Sequence, residues 1–476
     1  MVQTQLIQLL SKLTVGEIRL FDKYIHSPYF STHNDTIRFF EILLPHYPDF
    51  PAEAIEKEKV FEALFPGQDY KDEILRTLRK YLLKQLSYFL AMQRFREDEL
   101  MVQNHMLEAL AEKEVHTHFK KQVRHAENLI KKYPDKDEKF FLKQFWIERA
   151  LLEYQYTYEQ RENPSNLDRA HKLLDHYYLS AKLELMVSQL NTQVVVEIEN
   201  KEFLFSQEVI ELLDREHENY PPLIRAYYYL VKILQDPEEN AAFFQNAKDL
   251  LFSEVHQFSQ KDAVHFFIPL ISFANQKYRA GDRAYLNEMY QLYKFMLEKD
   301  LLFEGKTFPV HNFKNLVTLG LRIGEYDWTE QFIHEYKQYI SDDYKDGIVK
   351  YNLAHLYFYQ GRYGESLTLM QGIEMLDTFY QMSYKMLQLK IYYEQEEVDS
   401  FFSLAKTFQT YIRRQSSIPA SRKEAYYNFV SLLRKLFRIK IREKNNLLET
   451  QAEIQETQPL IEQGYLKQKV SEFSLA

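Results

Sequence analysis

Glycine and proline are scarce in this chain, 11 and 14 of 476 residues, where average usage would place roughly 57. Sandwiches, barrels and doubly wound sheets of this length need many tight turns, and those turns usually recruit the two missing residue types. A chain of consecutive helices does not. Cysteine is absent altogether, which removes disulfides, thiolate nucleophiles and cysteine-ligated zinc or iron-sulfur centres. A hydrophobic fraction of 45% and a charged fraction of 27% are those of a folded protein with a substantial core. The net charge of −9 opposes polyanion binding by the chain as a whole, while leaving room for local basic stripes.

The opening residues, MVQTQLIQLLSKL, read as an amphipathic first helix, since no basic segment precedes the apolar ones and no small-residue cleavage site follows. The most apolar later stretch, Ala263 to Ala274, contains His265 and Pro269 and falls short of the roughly 20 residues that span a bilayer. No membrane insertion is expected, and the cytoplasm is the expected location. Five prolines between Pro28 and Pro66 mark a head of short helices. Thr14 and Glu17 have capping-box spacing before Ile18, Phe21 and Ile25. Asp69 precedes a longer helix, in which Ile74, Leu75, Leu78, Tyr81, Leu82, Phe89 and Leu90 recur at helical spacing and predict its buried face.

Beyond residue 98 the pattern is helix, short polar break, helix, with breaks at Pro134, Asn163 to Asn166, Pro221 to Pro222, Asp236 to Pro237 and Ala280 to Asp282. Short connections make neighbouring helices antiparallel, in bundles or stacked pairs. Three segments share one pattern: GEYDWTEQFI from Gly324, GRYGESLTLM from Gly361 and EEVDSFFSLA from Glu396, separated by 37 and 35 residues. Ala354, Tyr357, Gly361, Tyr363 and Ser366 have the spacing of a first-helix small residue, an aromatic, a turn glycine, a second aromatic and a second-helix small residue. This pattern resembles the tetratricopeptide repeat family, whose period is 34 residues, over about Val310 to Thr410. In the third segment Glu396 stands at the turn glycine and Phe401 at the small residue, and upstream Gly281 lies 43 residues before Gly324 because FEGKTFPVHNF inserts a loop from Phe303. The phrases FDKYIHSPYF, KEKVFEALFPG, GEYDWTEQFI and KIYYEQEE also resemble a family of large bacterial helical proteins, a likeness that spans nearly the whole chain and implies no particular activity.

The expected architecture is all-α: antiparallel helix pairs stacked as an irregular, tetratricopeptide-like right-handed solenoid behind a short-helix head. Four segments are expected: a head over 1–97 that ends in a basic helix, irregular pairs over 98–302, repeats and a basic terminal helix over 303–444, and a polar tail or cap over 445–476. The 36 Tyr and 35 Phe supply large faces for packing between helices.

Motifs for chemistry are missing. Gly305, Lys306 and Thr307 lack the glycine five positions earlier, where Asp300 stands, so no phosphate cradle is expected. His217 with Glu218, and His334 with Glu335, lack a second histidine one helical turn on. The pairs Asp168 with His171, Asp214 with His217, and Asp262 with His265 are no more than 15 histidines among 69 acids produce by chance. His118 and His125 sit among Lys120, Lys121 and Arg124, and cations oppose metal binding. No catalytic residue, metal or cofactor is therefore expected.

Two basic stripes, Arg76, Arg79, Lys80 and Lys84, then Arg434, Lys435, Arg438 and Arg442, are the candidate polyanion contacts. The order of short helices, LFPG turn, basic helix and repeats is similar to transcription activators that join a winged helix to tetratricopeptide repeats. A winged helix also implies a β-hairpin, for which there is no alternating strand pair. Alignment on the turn glycines places Lys314 and Asn315, then Asn352 and His355, on first helices. The tetratricopeptide resemblance implies that Lys and Asn there grip a peptide carboxylate, although the third repeat carries Leu387 at the recurring position. The chain is read as a non-catalytic protein-interaction scaffold with a protein or peptide partner. A nucleic-acid-associated regulator and an enzyme with an unmarked site are the alternatives.

Overall fold

The computed structural model describes residues 4–31, 33–133, 136–159, 166–195, 203–239, 241–342, 345–373, 378–441 and 446–475. The regular secondary structure of these residues is all helical, as expected. Among them there is no strand, only an isolated bridge between Glu304 and Thr307. The chain divides into two compact units, Met1–Lys182 and Leu183–Ala476.

The first unit contains α1 (Gln5–Leu10), α2 (Val15–Ile25), α3 (Asn34–Leu43), α4 (Lys57–Leu64), α5 (Asp72–Glu97), α6 (Glu99–Glu112), α7 (His116–Lys132), α8 (Glu138–Tyr154) and the start of α9 (Leu167–Val195). The capping box forms: the Glu17 amide donates to Thr14 Oγ1 at 3.2 Å and the Thr14 amide to Glu17 Oε2 at 2.7 Å. Phe21, buried from α2, meets Phe40 edge-on at 5.0 Å and Phe89 at 5.3 Å, joining three helices in one core. One expectation needs correction here. Helix α5 begins at Asp72, just past Asp69, and its Asp72 carboxylate accepts from Lys57, Tyr70 and Arg76. Its buried line is Leu75, Leu78, Leu82, Leu86 and Phe89. Tyr81 lies outside that line, 48% exposed and against the His33 ring.

The second unit holds α10 (Ser206–Glu216), α11 (Pro222–Gln235), α12 (Ala241–Glu254), α13 (Gln260–Arg279), α14 (Ala284–Glu298), α15 (Val310–Ile323) and α16 (Tyr326–Tyr336). It continues with α17 (Lys345–Tyr359), α18 (Tyr363–Met370), α19 (Thr378–Glu394), α20 (Val398–Arg414), α21 (Ala420–Ile441), α22 (Leu447–Glu456) and α23 (Gln463–Leu475). From α11 onward each helix packs on the next, and α15 also touches α17, which touches α19. The apolar Ala263–Ala274 stretch lies inside α13, and no helix among the described residues is long and apolar enough to cross a membrane. The loop ends sooner than FEGKTFPVHNF suggests. Pro309 stands at the N-cap, so Val310 to Phe313 already belong to α15.

The turns between paired helices recur in detail. Asp282, Glu325, Arg362 and Glu397 donate their amides to Lys277, Gly320, Tyr357 and Tyr392 at 3.1, 2.9, 2.8 and 3.0 Å. Each bond spans five residues, as in the Schellman closure of a helix end, which requires a left-handed residue just before the donor. Gly281, Gly324 and Gly361 supply it, and Glu396 adopts it too, at φ +59°. A side chain there costs energy that glycine avoids. Glu396→Gly is therefore expected to stabilise the second unit by about 0.5–1 kcal/mol, less a few tenths for the exposed Lys440 ion pair. Chemical denaturation checks this, and a loss of stability would contradict it.

At the aligned second-helix position Thr329, Ser366 and Phe401 are all 0% exposed. Ser366 Oγ donates to the Ala354 carbonyl at 2.6 Å. Gly320 admits Thr329 so closely that an added Cβ would stand 2.3 Å from its Oγ1. The third pair fills the same place with a ring.

Candidate functional site

Three first helices converge on one carboxylate. Glu462, in the connection that leads into α23, is held through one oxygen by Lys390 of α19 at 2.5 Å and through the other by Arg322 of α15 at 2.7 Å. The Lys390 side chain is 5% exposed, that of Glu462 17% and that of Arg322 30%, so the cluster runs from a buried ammonium to a guanidinium at the solvent edge. His355 of α17 sits beside it between the rings of Tyr351 and Tyr359, at 5.9 and 5.3 Å. Lys314 of α15 donates to Ser383 Oγ at 2.5 Å and lies 4.8 Å over the Tyr380 ring.

The local field is positive. The charges acting most strongly on His355 are Lys390, Glu462, Arg322 and Lys314, three cations and one carboxylate. Burial, reinforced by Lys390, pushes the His355 imidazolium down to about 3, so the ring is neutral at physiological pH. Burial opposes the charge on Glu462 as well. Lys390 and Arg322 outweigh that burial and hold the carboxyl well below its usual range. Burial and the nearby Glu462 push the Tyr359 hydroxyl up to about 12.

The segment around Glu462 meets the first helix of four successive pairs. Asn428 of α21 donates to the Pro459 carbonyl at 3.0 Å, Arg322 and Lys390 take the carboxylate, and the Tyr465 ring lies 6.3 Å from that of Phe358 in α17. Leu460 and Ile461 pack against the apolar cluster of α19 to α23. Tyr465 also stands under Lys390 at 4.7 Å and donates to Glu394 Oε1 at 2.6 Å. Lys469 of α23 pairs with Glu394 at 2.7 Å, both nearly enclosed. The docked segment thus gives a carboxylate to α15 and α19, and a cation back to α19.

Of the four residues expected to grip a peptide, Lys314 and His355 lie in this charged cluster. Asn315 instead donates to Tyr293 on α14 at 2.9 Å. Asn352 is fully buried and donates to the Ile348 carbonyl of its own helix at 2.8 Å. Leu387, at the recurring position, is a buried apolar residue.

The basic stripes are less uniform than their spacing suggests. In the first, Arg76 pairs with Asp72 at 2.6 Å, Arg79 is half-buried, Lys80 is exposed, and Lys84 is exposed 5.8 Å over the Tyr88 ring. In the second, Arg434 donates to Gln409 and Lys435 is taken by both oxygens of Glu453 at 2.6 Å. Arg438 lies 5.8 Å from the Phe402 ring, in a cleft it shares with Asp399, Glu449 and Glu453. Arg442 lies outside the described residues. Among the described residues no three His, Asp or Glu side chains gather as metal ligands.

Arg322, Lys390 and Glu462 escaped the sequence reading. Lys390 carried a signal, a lone charge between Leu389 and Ile391 in MLQLKIYY, since a charge at a core register is retained only with a partner. Glu462 in PLIEQGYL carried the matching one. No family model matches the chain, and comparison with curated proteins returns no relative.

Proposed function

We propose that the helix pairs of the second unit stack as a tetratricopeptide-like right-handed solenoid, whose concave first-helix face binds a partner protein through an acidic peptide segment. The chain acts as an interaction scaffold without chemistry of its own. One observation carries this reading: a carboxylate is clamped between Lys390 and Arg322, in surroundings where Lys314 adds a further cation. A carboxylate held by two charged donors in a partly dry site gains more than one in water. The aromatic rings of Tyr351, Tyr359, Tyr380 and Tyr465 supply stiff apolar walls beside it. Solenoids of stacked helix pairs expose their first helices on a continuous inner surface suited to an extended segment.

The test is selection of random peptides on the full-length protein and on the Lys314→Glu, Arg322→Glu variant. The wild type is expected to enrich peptides with an acidic residue, and the variant to lose them. Enrichment of the same peptides by both proteins, or of peptides without acids, would refute the reading.

A further inference from the structure

The geometry points to Pro459–Glu462 as a resident pseudo-ligand, a tethered copy of the acidic segment that the groove takes from its partner. This inference rests on the carboxylate-binding reading above and adds both the sequence class of the ligand and a means of control. Three observations carry it. Glu462 is clamped by residues 140 and 72 positions away, and the same segment contacts α15, α19 and α21, while Tyr465 just beyond it reaches Phe358 of α17. Its backbone is no regular helix from Thr457 to Glu462, and a side chain of the face, Asn428, meets the Pro459 carbonyl. Leu460 and Ile461 pack on the apolar cluster immediately before the acid.

The occupant of the opened groove is accordingly an internal peptide segment in which two branched apolar residues precede a glutamate, rather than a free chain terminus. An intramolecular segment competes at a high effective concentration, so an outside peptide of the same pattern enters only in proportion to the fraction of open molecules. A partner that offers a better-fitting acidic segment, or that also grips α23, displaces it.

A labelled peptide spanning Thr457–Gly464 serves as the probe, with a glutamine in place of its glutamate as control, and anisotropy reads binding to full-length protein. Glu462→Lys sets a third cation against Lys390 and Arg322 and opens the segment. It is expected to bind the probe at least about tenfold tighter than the wild type, because the competent fraction rises, and to ignore the control. Equal binding by wild type and Glu462→Lys, lost in Arg322→Glu, would overturn the pseudo-ligand while sparing the groove. No binding by either would overturn both. Should Glu462→Lys lack a cooperative melt, the absence of native cysteine supplies a second readout. Maleimide labelling of Ile461→Cys is expected to accelerate at least about tenfold with saturating probe. An unchanged labelling rate would again overturn the pseudo-ligand.

Discussion

Glu462→Gln is expected to cost the second unit about 3 kcal/mol, at the lower end of what breaking a buried ion pair costs, because Arg322 keeps some access to water. The substitution keeps the shape and removes the charge, leaving the enclosed Lys390 ammonium without its carboxylate. Urea unfolding followed in the second unit reads the loss, and a change under about 1 kcal/mol would mean that solvent already screens the cluster. Acid supplies an independent check on sign. The Glu462 carboxyl in the folded protein titrates well below its ordinary 4.5, so its contribution is complete above that pH and fades as pH falls below it. Wild type and variant should therefore converge in stability below pH 4.5. His355, pushed from 6.5 to about 3, is depressed in the same direction. Its contribution is lost as pH falls from 6.5 toward 3, and that loss is expected in both proteins.

Phe401→Ser is expected to be as damaging, at about 3–5 kcal/mol, although serine is the residue that the preceding pair uses at the aligned place. Phe401 is fully buried and its ring lies 4.4 Å from Phe437 and 5.3 Å from Phe402. Ser366 fits its own pair because the Ala354 carbonyl accepts its hydroxyl at 2.6 Å. A serine at 401 would leave a cavity walled by rings. The midpoint of thermal or urea unfolding measures the effect. A near-neutral result would show that α19, α20 and α21 close up around the smaller side chain.

These residues also show what the sequence could and could not disclose. Helix is legible from local chemistry: scarce Gly and Pro, the Thr14–Glu17 cap, and turn glycines 37 residues apart act within a few residues of themselves. The third turn is harder. Only the backbone reveals that Glu396 takes the left-handed shape of Gly324 and Gly361, since tertiary packing overrides the local preference. Tyr81 departs from the burial that its helical spacing predicts because it borders the buried line of α5, and periodicity alone does not resolve a residue at the edge of a face. The site is least visible of all. Lys314 and His355 follow from the repeat register, but Lys390 and Glu462 come from distant parts of the chain. No spacing rule joins Arg322 to Glu462 across 140 residues.

That span bears on how the protein is made. Arrays of helix pairs assemble largely from neighbours, so each pair finds its contacts soon after it leaves the ribosome. The face of α15, α17 and α19 is different: its last carboxylate is synthesised long after Arg322 and Lys390. Through that interval of translation the guanidinium of α15 and the ammonium of α19 are without the Glu462 carboxylate that pairs with both in the folded chain.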